Sequence, residues 1–416
     1  MELKPGYKQT EMGVIPEDWD IARLGTLAHF RTGPFGSALH KSDYVYGGVP
    51  VINPMQIVDG KIVNTPRMAI SEAAAQSLSE FRLLEGDIII GRRGEMGRCA
   101  VVQLDQSGWL CGTGSMIVRP NVRLESRFAQ RMLSSLPVIA AIEATSVGST
   151  MINLNQSTLN NLQISLPPTF AEQQAIAETL NDADALIDSM EKMLAKKRQV
   201  KQGAMQALLT GQIRLGGFDG EWKHSQLKQI VQTPITDGPH MTPKFQGDGV
   251  PFLSVNNLVN NRIDFSDLRF ISTSDHEVFS KKCRPRKGDI LLGKAASVGK
   301  VALVESDIDF NIWSPIAMIR VSSAYCSRFI YYQLQSTGLA RQIALLTNSS
   351  SQGNIGMGDI ERLVIGCPQY DEQIAISAII SSHDDEIKVL ETRLQKARHL
   401  KQGMMQELLT GRIRLV

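Results

Sequence analysis

The chain has 416 residues, 43% of them hydrophobic and 21% charged, with a formal net charge of +2. That length predicts two or more domains, and the apolar content is ample for a globular core. The start at Met1–Pro5 lacks an apolar signal region and no apolar run reaches about 18 residues, which excludes a spanning helix, leaves no membrane among the expected partners and predicts a cytoplasmic protein. Five scattered cysteines (Cys99, Cys111, Cys283, Cys326, Cys367) form no CxxC, so neither a disulfide framework nor a zinc site is supported.

In chain order, residues 13–19 (GVIPEDW) open a first half, and residues 31–41 (RTGPFGSALHK) form a polar loop containing glycine. Short apolar runs then alternate with turns. Residues 87–90 (DIII) and 100–102 (AVV) read as strands around a glycine-rich turn at 91–97. An amphipathic helix is predicted near residues 127–136, and a second polar loop follows at 146–155 (SVGSTMINLN). Pro167 and Pro168 end the last strand.

A long helix is predicted next. Ile176, Leu180, Ala183, Ile187, Met190 and Leu194 step alternately by four and three, the heptad seam that packs one helix along another. Acidic residues fill its first part (Glu172, Glu178, Asp182, Asp184, Asp188, Glu191) and basic residues its later part (Lys192, Lys196, Lys197, Arg198, Lys201), as the helix dipole favours. Gly211 falls where a left-handed cap would sit. About 39 residues at roughly 1.5 Å rise give a rod of about 58 Å.

The second half repeats the first. Residues 372–415 match residues 172–215 at 22 of 44 positions, and twelve of the last fifteen agree (KQGAMQALLTGQIRL against KQGMMQELLTGRIRL). Ile376, Ile380, His383, Ile387, Leu390, Leu394 and Ala397 continue the same seam, with His383 expected to be a satisfied core residue. Opposite charges at opposite ends favour antiparallel packing of the two helices. Residues 249–253 (GVPFL) match 48–52, 287–304 (KGDILLGKAASVGKVALV) match 85–102, 317–320 match 116–119, and 360–368 match 159–167. A second amphipathic helix falls near residues 327–334. An internal repeat of this kind precedes any other reading of the fold. The coarse class is α/β, mixed α+β, in the order globular unit, helix, globular unit, helix.

The catalytic motifs are missing. Residues 293–301 (GKAASVGKV) resemble a phosphate-binding loop, but five residues separate the glycines and valine replaces the Ser/Thr that would hold magnesium. Asn53-Pro54-Met55-Gln56 only faintly resembles an amino-methyltransferase motif, since the second proline and the aromatic are absent. The seven histidines show no HxxxH spacing, and no Gly-x-Ser-x-Gly elbow occurs.

Polar loops remain as candidates for binding DNA. In the first half they are Ser37, His40 and Lys41, then Arg92, Arg93 and Arg98, then Ser149, Thr150 and Asn153. In the second half they are His240, Thr242 and Lys244, then Lys294, Ser297 and Lys300, then Ser350, Gln352 and Asn354. Guanidinium forks suit phosphate and the acceptor edge of guanine, while amides suit adenine. The plainer reading is that these are solvated hairpin cations and ordinary turn formers.

The whole pattern resembles the specificity (S) subunit of type I restriction–modification systems. The resemblance rests on GVIPEDW at 13–19, GVPFLSVNNL at 249–258, KGDILLGKAASVGK at 287–300, Glu-Gln before each long helix (Glu172-Gln173, Glu372-Gln373), and the closing LLTG-x-IRL. It spans nearly the whole chain. It implies target-recognition domains at 1–168 and 216–368, and conserved helical spacers at 169–215 and 369–416 that form an antiparallel coiled coil. Ile176, Leu180, Ile187, Met190 and Leu194 would pack against Ile376, Ile380, Ile387, Leu390 and Leu394. It further implies a non-catalytic reader of a bipartite site in double-stranded DNA. Two methyltransferase (M) subunits would dock on the helices and bind S-adenosylmethionine, and restriction (R) subunits would join them. No cofactor or metal is expected in this chain. Two rival readings are a stand-alone methyltransferase or nuclease, and a scaffold that binds only protein.

Overall fold

The computed structural model describes residues 5–35, 38–145, 153–347 and 353–415. Contacts divide the chain into two units, Met1–Glu191 with Arg393–Val416, and Lys192–Thr392. Each unit contains one globular body and a part of both long helices.

In the first unit the body is built on a four-stranded antiparallel sheet in the order Cys99–Val101, Ile88–Gly91, Ser115–Pro120, Ala28–Thr32. The central strand is buried at every position because both its faces are covered. Ile88 and Ile90 face Phe128, Met132 and Leu180, while Ile89 and its cross-strand neighbour Ile117 face Ile52 and Leu83. That is why residues 88–90 read as an unbroken apolar run rather than an alternating one. A smaller sheet (Leu110–Cys111, Val49–Ile52, Ala69–Ile70, Tyr44–Val45) lies on one side. The helix Ser126–Leu133 lies on the other.

The second unit repeats this plan. Its large sheet runs Val301–Leu303, Ile290–Gly293, Ile316–Ile319, Thr236–Asp237. Ile290 and Leu292 face the helix Ser327–Leu334, and Leu291 faces Leu253 and Ile312. Whereas the strand expected at 100–102 begins one residue early, at Cys99, the strand expected at 87–90 and its repeat begin one residue late, at Ile88 and Ile290, because Asp87 and Asp289 are not strand residues. Each is buried at the foot of the central strand and holds an arginine bidentately. Asp87 takes Arg119 at 2.7 and 2.7 Å, and Asp289 takes Arg320 at 2.8 and 2.6 Å.

The two long helices are Phe170–Leu208 and Tyr370–Leu408, 39 residues each. Their pairing is antiparallel within each unit. In the first, Glu191 pairs with Arg398 at 2.6 Å, Asp184 with Lys401 at 2.5 Å, and Glu172 with Arg414 at 2.9 Å, one number falling as the other rises. In the second, Glu391 pairs with Arg198 at 2.7 Å, Asp384 with Lys201 at 2.7 Å, and Glu372 with Arg214 at 2.7 Å. Of the seam residues, Ile176, Leu180, Leu194, Ile376, Ile380, Ile387 and Leu394 are buried, and Ile187, Met190 and Leu390 are half-buried. Ile176 and Leu180 share one core with Leu408, Leu409 and the globular body, so the seam joins three elements rather than two. His383 departs from expectation, since its Nδ1 is buried without a partner among the described residues.

The Glu-Gln pairs, expected ahead of the helices, lie in the first turn of each and have a physical account. Glu172 and Glu372 are each 1% exposed and take the arginine of the IRL tail that follows the other helix. Gln173 accepts from Glu125 N at 2.8 Å and donates to Arg123 O at 3.0 Å, and Gln373 accepts from Cys326 N at 2.9 Å. The glutamate therefore ties helix to helix, and the glutamine ties helix to body. Gly211 and Gly411 cap the helices with φ of 70° and 68°. A Cβ on Gly411 would also stand 2.6 Å from Pro16, so the cap packs tightly on the opening GVIPEDW segment. Among the described residues, no helix is long and apolar enough to cross a membrane.

Candidate nucleic-acid interface

In the first unit, Thr32, Gly91 and Ser115 lie together at one end of the large sheet, fixed by strand register. Four loops therefore converge there. Gly33 N donates to Ser115 O at 3.0 Å, Arg92 N to Gly114 O at 2.9 Å, and Gly114 N to Asn53 Oδ1 at 3.3 Å. The fit is tight enough to require glycine, since a Cβ on Gly33 would stand 2.7 Å from the Gly112 carbonyl carbon. Residue 154 joins the same end, with Leu154 N donating to Arg92 O at 2.9 Å.

The three arginines of the turn differ in what they can offer a ligand. Arg92 is half-buried and its Nε donates to Leu154 O at 3.0 Å. Burial first, and then the neighbouring Arg93, lower its pKa. Arg98 pairs with Glu95 at 2.6 Å and donates to Pro54 O at 3.3 Å. Arg93 is exposed and makes no ion pair among the described residues. It is the cation most available to a phosphate or a guanine. Asn153 is exposed immediately before Leu154. His40 and Lys41 are exposed at the short helix Lys41–Asp43, where His40 N donates to Asp43 Oδ2 at 2.6 Å. No hydrogen bond among the described residues ties them to the arginine turn.

The second unit assembles the equivalent end around a carboxylate. Asp237 closes the edge strand and meets Lys282 at 2.5 Å, Lys294 at 3.1 Å and His240 at 3.3 Å. Burial would raise the Asp237 carboxyl, but Lys282 and Lys294 together hold it below its ordinary value. Lys294 N donates to Pro315 O at 2.8 Å, Ile355 N donates to Lys294 O at 2.9 Å, and Ala295 bridges Asn354. The loops at 238–240, 294–300, 313–315 and 354 thus converge as their counterparts do. The glycine-rich turn at 293–299 joins two antiparallel strands rather than a strand and a helix, so it is not a nucleotide-binding loop. Lys294 is only 12% exposed, whereas Lys300 and Ser297 are half-buried and free of ion pairs among the described residues. Thr242 and Lys244 are exposed on the way to Val250–Leu253. Ser37, Ser149, Thr150, Ser350 and Gln352 lie outside the described residues.

Sequence reasoning passed over Asp237, which organises the second site. Its signal was a lone acid beside glycine in TDGPHMTPK. It also passed over exposed apolar residues at the first site, Phe35 (72% exposed) and Met55 (87% exposed). Among the described residues no group of three or more His, Cys, Asp or Glu is placed to hold a metal.

Comparison with known proteins agrees with this plan. The family model described as type I restriction modification DNA specificity domain matches twice, over residues 16–199 and 219–399. A candidate type I restriction enzyme MjaX specificity subunit of Methanocaldococcus jannaschii is 26% identical, covering 98% of this chain and 97% of that protein. The EcoKI specificity subunit of Escherichia coli is 23% identical over 96% of this chain and 90% of its own length. In fold, the chain resembles the crystal structure of a type I restriction–modification S subunit from M. genitalium, with TM-score 0.60, 14% identity and 98% of each chain covered. With both halves matched by one domain family, the chain belongs to the type I restriction–modification DNA specificity family, as a specificity subunit carrying that domain in duplicate.

Proposed function

We propose that each unit reads one half of a split site in duplex DNA, and that the two long helices set the gap and dock two methyltransferase subunits, through which restriction subunits join. The observation that carries this reading is the recurrence of one loop cluster, at the same end of the same sheet, with different side chains in the two units. Different side chains on a shared scaffold suit two half-sites of different sequence, about 34 Å apart for one helical turn. Base edges would be read by the loops and phosphates would be met by exposed cations such as Arg93. S-adenosylmethionine would be held by the partner methyltransferases. The net charge of +2 fits an affinity shared with those partners.

The test is the chain assembled with its methyltransferase subunits, with methylated adenines mapped in a randomised duplex library. Replacing residues 1–168 by another recognition domain should change one half-site and leave the other. Absence of any sequence preference, or a change in both halves, would overturn the proposal. The lone chain with DNA and methyl donor should yield no product.

A further inference from the structure

In the first unit, the strand Val49–Ile52 runs into a short turn, Pro54–Gln56, at the loop cluster. The turn is held from within and by Arg98 from the neighbouring loop. Gln56 N donates to Asn53 O at 2.9 Å, Asn53 N to Gln56 Oε1 at 3.0 Å, and Arg98 to Pro54 O at 3.3 Å. Its middle residue is Met55, 87% exposed. A rigid backbone thus holds an apolar side chain in water next to a cation, where burial on a ligand would return the transfer free energy.

The second unit has the same turn, Val255–Asn257. Asn257 N donates to Ser254 O at 3.0 Å and Ser254 N to Asn257 Oδ1 at 2.9 Å. The middle position is Asn256, exposed and without a hydrogen bond among the described residues. Its neighbour Asn257 gives its amide to Asp264 O at 3.2 Å and Asp267 O at 2.8 Å, so the two asparagines have separate tasks. One scaffold position therefore carries an apolar thioether in one unit and a free amide in the other.

Resting on the DNA-reading role above, we propose that Met55 and Asn256 are specificity-determining residues. Met55 packs on the methyl group of a thymine in the major groove, and Asn256 hydrogen-bonds the N6 and N7 of an adenine. The thymine methyl is the apolar group on the major-groove edge of a base pair, and a flexible thioether conforms to it. A primary amide matches the donor–acceptor pair of adenine.

The experiment uses the full chain assembled with its methyltransferase subunits, a randomised duplex library, S-adenosylmethionine as donor, and sequencing of the methylated molecules. Met55→Ala should relax the preference for thymine at a single position of one half-site by about ten-fold, leaving other positions unchanged. Met55→Asn should turn that preference toward adenine, and Asn256→Met should do the reverse in the other half-site. Both positions are exposed, so the thermal midpoints should match the parent chain. If the parent complex shows sequence preference and all three variants keep it, the inference fails while the reading of DNA stands. Loss of assembly with the methyltransferase without altered preference would also overturn it, by making Met55 a protein contact. If the parent complex shows no preference at all, it is the DNA-reading role that fails.

Discussion

Glu172 is 1% exposed and its charge is matched by Arg414, which also reaches Asp18 and lies 5.9 Å from the Trp19 ring. Removing one partner of a buried pair strands the other, which costs more than the pair contributes. Arg414→Ala should destabilise the first unit by about 3 kcal/mol, read by denaturant unfolding of the full chain. Asp237 gives a pH signature. Its folded pKa is lowered, so its stabilising contribution is complete above about pH 3.9 and is lost as pH falls through the folded value. The thermal midpoint of the parent chain should fall more steeply in that acid window than that of Asp237→Asn. The cysteines separate by accessibility. Burial raises the thiols of Cys99 and Cys367 to about 12 and of Cys283 to about 11, and raises Cys111 as well, while Cys326 is half-buried. Iodoacetamide at neutral pH should label Cys326 in the native chain and the other four only after denaturation, as mass spectrometry would show.

Among the elements, the hairpins Ile57–Val58/Lys61–Ile62 and Leu258–Val259/Arg262–Ile263 reach from each body to a long helix. In the first unit Lys61 pairs with Asp188, and Arg131 with Asp184 at 2.5 Å. In the second, Arg262 donates to Asp384 O at 3.3 Å and Tyr332 Oη to Asp384 Oδ2 at 2.8 Å. Tyr332→Phe should cost about 1 kcal/mol, because Asp384 keeps Lys201. These braces were not legible in the sequence, since a two-residue strand has no periodicity to detect. The long helices were legible, because a heptad seam running from Ile176 to Leu194 recurs from Ile376 to Leu394 at a fixed offset. The loops stand between these cases. The repeat located Arg92 and Lys294, but both have partners inside their own unit, and a list of residue types cannot say which cations are already engaged.

For the whole molecule, the proposed spacing role makes a test of helix length. Inserting four residues near Gly203 lengthens a helix by about 6 Å, and a Cβ at Gly203 or Gly403 would meet nothing within 4 Å. The preferred gap between half-sites should widen, as methylation of a library with variable spacers would report. The duplication, the order of parts and the antiparallel pairing could be read from sequence. The match of 48–52 with 249–253 already sets Met55 opposite Asn256, but only the two turns at 54–56 and 255–257 show that both side chains stand exposed on the same backbone.

The first unit is discontinuous in the chain, since it needs residues 393–416, whereas the second is the uninterrupted stretch Lys192–Thr392. A polypeptide leaving the ribosome therefore has all of its second unit in hand before its first can close. Until residues 393–416 have been made, the earliest-made body waits without Arg414 for the Glu172 carboxylate and without Leu408 and Leu409 beside Ile176 and Leu180. A stop codon introduced at Arg414 would therefore harm the part of the protein synthesised first.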